Sequence, residues 1–85
     1  MTADISLTSL DIAELARNQH DYVKRTIRTL VSADVIQPPQ LQAGDLYVFT
    51  GEQGKRDSIV VAADLSPEST VRLLDRWQEL EDKAK

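Results

Sequence analysis

The chain contains no cysteine, which excludes disulfides, thiolate metal sites and thiol catalysis together. Its single histidine, His20, has no second imidazole with which to share an ion, so no metal site is expected. The three glycines, Gly44, Gly51 and Gly54, match neither the dinucleotide nor the P-loop spacing. No apolar run approaches the ~20 residues needed to span a bilayer. The opening MTADISLTSL holds an acid and no base, unlike a secretory signal. Nor can a Ser–His–acid set be argued around this lone histidine, which falls at a helix start. The expectation is a cytoplasmic protein without cofactor, metal, membrane partner or enzymatic activity.

What is present is ordinary globular composition with an unusual distribution of charge. The 85 residues are enough for a single domain, 1–85, with a modest core. The net charge is −4. Between Arg17 and Arg28, however, four bases (Arg17, Lys24, Arg25, Arg28) face one acid (Asp21), a local +3. A focused positive patch on an acidic protein has the phosphate backbone of nucleic acid as its commonest target. Screening over roughly 8 Å makes the local patch matter more than the sum. The plainer alternative is a solvated helix face.

The patch sits on residues 20–30, HDYVKRTIRTL. Val23, Ile27, Leu30 and Val31 recur at helical spacing and predict a second helix over His20–Ser32. Ahead of it, residues 1–8 are expected to form an N-terminal arm, or over residues 1–7 a short lead-in strand, since Ile5 and Leu7 alternate. Thr8 or Ser9 can cap a first short helix, LDIAELA, with Asp11 and Glu14 near its start. Asn18 tolerates a left-handed turn between the two helices and can cap the second. Two short helices joined this closely outline a helix-turn-helix.

Pro38 and Pro39 forbid a return to helix. After a polar connector, Leu46-Tyr47-Val48-Phe49-Thr50 and residues 58–63 read as two strands. The two glycines of residues 51–56 make that segment a hairpin loop with Lys55 and Arg56 at its tip, the pattern of a basic wing. From Ser66, Pro67 and Glu68 onward, three start signals open one amphipathic helix. Its stripe is Leu73, Trp77, Leu80 and Ala84, with Val71 and Leu74 beside it. The fold class expected is α+β, winged helix-turn-helix-like: two short helices, a hairpin wing and a long C-terminal helix, 66–85.

Two stretches resemble a known family. Ser9-x-Asp11-Ile12-Ala13-Glu14-Leu15 followed by His20-Asp21-x-Val23-x-Arg25-x-Ile27-Arg28 resembles the N-terminal module of the phage regulatory protein Rha family. Leu65-Ser66-Pro67-Glu68 and Arg72-Leu73-x-Asp75-Arg76-Trp77-Gln78-Glu79-Leu80-Glu81 are similar to the closing helix of the same antirepressor-type proteins. The resemblance implies a phage or prophage regulator with a winged-helix-like DNA-binding domain. The chain departs from that family's pattern at Ala16-Arg17, where the family has a Thr-Gly turn.

The leading expectation is a transcriptional regulator that places its second helix in the major groove of double-stranded DNA. Arg17, Asn18, His20, Tyr22, Lys24, Arg25 and Arg28 are its candidate contacts, with Lys55 and Arg56 on the neighbouring backbone. His20 has a plainer reading as a capping or packing group. The competing expectation is a protein-binding antirepressor or host-protein inhibitor that uses the acidic surface against a repressor or host protein. Leu73, Trp77 and Leu80 are candidates for a homodimer contact, against the alternative that Trp77 closes the chain's own core.

Overall fold

The computed structural model describes residues 5–83; residues 1–4 of the expected arm and Ala84 of the expected stripe lie outside the described residues. In chain order the elements are β1 (Ser6–Thr8), α1 (Ser9–Ala16), α2 (His20–Ser32), β2 (Gln40–Gln42), β3 (Leu46–Thr50), α3 (Gly51–Leu65) and α4 (Pro67–Lys83). The three strands form an antiparallel sheet in the order β1-β3-β2, so the class is α+β. No helix among the described residues is long and apolar enough to cross a membrane.

Local chemistry explains the first half. Thr8 caps α1 reciprocally: its hydroxyl accepts from the Asp11 backbone N at 3.2 Å, and its own N donates to Asp11 Oδ2 at 2.9 Å. The helix closes when Asn18 N reaches Ala13 O at 3.0 Å and Arg17 N reaches Glu14 O at 3.3 Å, a Schellman pattern. Its left-handed residue is Arg17, at φ 55°, rather than the expected Asn18. Likewise α2 is capped by Gln19 without a side-chain bond, so Asn18 does not cap it. The second helix ends the same way, with Asp34 at φ 63° and Val35 N on Leu30 O at 2.9 Å. The predicted bounds of α2 agree with the structure, and its stripe packs inward: Val23 and Ile27 are fully buried, Leu30 and Val31 partly.

The hairpin lies elsewhere than expected. Residues 51–56 are not its loop, and 58–63 are not a strand; both belong to α3. The true hairpin is β2–β3, turning at Ala43-Gly44-Asp45, with Gly44 at φ 84° and Asp45 at φ 63°. Lys55 and Arg56 therefore stand on a helix and not at a wing tip. The run Ile59-Val60-Val61 has strand propensity, but an apolar run this short suits either state. Tertiary packing decides it. Gly54, Asp57, Ser58, Val61 and Ala62 recur at helical spacing and are all buried. Gly54 lets α3 approach β3 closely: a β-carbon there would sit 2.7 Å from the Phe49 carbonyl carbon.

The final helix begins as its signals predict. Ser66 Oγ accepts from Ser69 N at 3.1 Å, and Pro67 takes the first helical position. Leu73 and Trp77 are buried in the core of their own chain. The Trp77 indole N–H donates to Ser58 Oγ at 2.9 Å, so α3 occupies the face expected to meet a second copy, and Leu80 packs partly buried against the same core. Val71 and Leu74 instead face outward.

Gly54→Ala should separate packing from propensity. Alanine is the better helix former by about 1 kcal/mol, yet the close contact with Phe49 should turn the substitution into a loss of about 1–3 kcal/mol. Urea unfolding measures this, and a gain in stability would show that α3 does not rest on Phe49.

Candidate nucleic-acid interface

The outer face of α2 is the inverse of its buried stripe. Asp21, Arg25, Arg28 and Ser32, spaced i, i+4, i+7 and i+11, are all exposed, with Tyr22 and Thr29 along the adjoining row. Arg17 and Asn18 are exposed at the turn that precedes it. Two arginines, an aromatic hydroxyl and two aliphatic hydroxyls thus share one solvent-facing surface. Such groups can donate to phosphate oxygens and to base edges.

One of the expected contacts, His20, turns inward instead. His20 Nε2 lies 2.7 Å from Ser9 Oγ. Ser9 is fully buried and its hydroxyl also accepts from Tyr47 N at 3.1 Å. This small network ties the starts of α1 and α2 to β3, in keeping with the packing role weighed for His20. Asn18 directs its side-chain amide back to Ala16 O at 3.4 Å.

Lys24 points at the hairpin. Its Nζ lies 3.0 Å from Asp45 Oδ2 and 3.5 Å from Asp21 Oδ1, and its side chain is only 13% exposed. The hydrogen bond to Asp45 holds the ammonium pKa above its usual range. The same bond, with the lysine charge, holds the Asp45 carboxyl below the ordinary carboxylate range. The contribution of Asp45 is thus present above ordinary carboxylate titration and lost as pH falls through its lowered pKa. That of Lys24 is lost only as pH rises through its raised one.

Lys55 and Arg56 are engaged as well. Lys55 Nζ meets Glu81 Oε2 on α4 at 2.8 Å, and Arg56 Nη1 meets the buried Asp57 at 3.2 Å. Asp57 in turn accepts from Gln37 N at 3.1 Å and Gln53 Nε2 at 2.9 Å, which pins the segment after α2 to α3. The structure therefore brings Arg17, Asn18, Tyr22, Arg25 and Arg28 onto one surface and leaves Lys55 and Arg56 in separate helix contacts.

Asp45 is the residue that sequence reading missed. Its signal was a Gly44-Asp45 pair immediately before a strand, a hairpin turn in its own right. Among the described residues no cluster of His, Asp and Glu is arranged to hold a metal ion. No family model, curated protein or solved structure matches the chain.

Arg17 holds a left-handed conformation that costs a β-carbon-bearing residue about 1–2 kcal/mol. Arg17→Gly should therefore raise the urea midpoint, by about 1 kcal/mol of stability after the entropy of the glycine is counted. An unchanged or lower midpoint would mean that the arginine stem makes packing contacts worth as much as the strain.

Proposed function

We propose that the chain binds duplex DNA as a small winged helix-turn-helix regulator, with the outer face of α2 in the major groove. The observation that carries this reading is how the cations are disposed. Lys24, Lys55, Arg56 and Arg76 are held in ion pairs, and Arg72 donates to Leu15 O. Arg17, Arg25 and Arg28 are exposed and form no ion pair or hydrogen bond among the described residues. Among the described residues, apart from Lys83 at the end of α4, the cations left for a partner gather on α2 and the turn before it. The order β1-β3-β2 beside α1 and α2 supports the winged layout, with Gly44 and Asp45 at the wing tip. The likeness of the α2 and α4 motifs to the phage Rha family supports a role in phage or prophage gene regulation.

A second reading has its own support. The exposed face of α4 carries Glu68, Asp75 and Glu79 next to the exposed Val71 and Leu74, a surface suited to a basic, partly apolar protein. A folded protein that leaves duplex DNA unshifted at all salt concentrations would favour it.

The decisive measurement is the mobility shift of a random-sequence duplex across a salt series. Wild type should bind with a salt-dependent affinity, and Arg25→Ala and Arg28→Ala should each flatten the log–log slope by about 0.9. Lys55→Ala and Arg56→Ala should leave it unchanged. A triple Arg17, Arg25 and Arg28 alanine variant that keeps its circular dichroism and still binds like wild type would remove this face from the interface.

A further inference from the structure

We infer that Asp45 is a positioning residue that withholds Lys24 from the proposed DNA interface and so keeps affinity for random sequence low. The inference rests on the DNA-binding reading of the α2 face and concerns how that face is regulated. Lys24 belongs to the charged cluster of α2 by sequence, yet its ammonium is drawn to the hairpin, 3.0 Å from Asp45 Oδ2. Asp21 of its own helix is the more distant and almost fully exposed partner, at 3.5 Å. The hairpin is held in place to do this. Gly44 and Asp45 both adopt positive φ, and Asp45 N closes the turn on Gln42 O at 3.2 Å. The Ser9 hydroxyl, bonded to Tyr47 N and to His20, joins β3 to the first turn of α2 only one helical turn from Lys24. The carboxylate is thereby anchored at a fixed distance from the helix.

Two consequences follow for a polyanion approaching α2. The wing tip presents a negative charge where a basic tip would add a phosphate contact. Lys24 also contributes no counterion release while its charge is shared with Asp45. Both effects act on every sequence alike, because they concern phosphates and not base edges. Asp45 therefore lowers non-specific binding and leaves discrimination to the exposed side chains of α2.

Asp45→Asn tests this cleanly, since asparagine tolerates the left-handed backbone as aspartate does. Binding of a fluorescent random-sequence duplex is followed by anisotropy from low to physiological salt. The variant should bind more tightly at low salt, with a log–log slope steeper by about 0.9, which is roughly a threefold larger loss between 50 and 200 mM salt. Adding Lys24→Gln to Asp45→Asn should cancel the steeper slope, whereas Lys24→Gln alone should leave the wild-type slope unchanged. A merely structural role for Asp45 would weaken binding without steepening the slope, and that result overturns the inference. So does a steeper slope that survives Lys24→Gln. If wild type and Asp45→Asn both leave the duplex unbound at low salt while folded, the DNA reading itself fails, and this inference with it.

Discussion

The buried hydroxyl of Ser9 is the point on which the arrangement of this protein turns. It lies at the start of α1, accepts from the backbone of β3 at Tyr47, and pairs with His20 at the start of α2. Three elements that share no continuous backbone ladder are thereby set at one relative position. A hydroxyl with no exposure has to find partners within the chain, and here the partners are spread over 38 residues of sequence. The outward face of α2 and the distance of the hairpin from it both follow from that junction.

A second junction works on the opposite side. Trp77 is buried between α3 and α4, and its indole N–H is satisfied by Ser58, whose hydroxyl donates to Lys55 O. Gly54 brings the start of α3 against β3, while Arg72 reaches the last turn of α1 at Leu15 O. The C-terminal helices thus brace the sheet and the first helix from behind. Charge is sorted by the same packing: Lys55, Arg56, Arg72 and Arg76 on α3 and α4 meet local carboxylates or a carbonyl, whereas Arg17, Arg25 and Arg28 form no such contact among the described residues.

The acidic total and the local basic face are compatible on this account. On α4, Glu68, Asp75 and Glu79 lie on the exposed side and Glu81 is taken up by Lys55 of α3, so these acids act on a ligand at α2 only through screened distance. Among the described residues, the acids paired with an α2 cation are Asp45 and Asp21. Local charge at the proposed interface is consequently set by a few named contacts and not by the composition of the chain.

Local signals determined much of this protein unaided. The capping box at Thr8, the stripe from Val23 to Val31 and the Ser66-Pro67 start each depend on residues within a turn or two of one another. That made α1, α2 and α4 legible, together with the exposure of Arg25 and Arg28 opposite the stripe. Tertiary structure alone decided α3 against a strand, because Ile59, Val60 and Val61 suit either state until Gly54 meets Phe49 and Ser58 meets Trp77. It likewise directed Lys24 to Asp45 and enclosed Trp77 within its own chain. Each of those outcomes rests on contacts between residues about twenty positions apart or involves an element the short-range pattern left ambiguous, and side-chain propensity carries no information about which distant partner will be there.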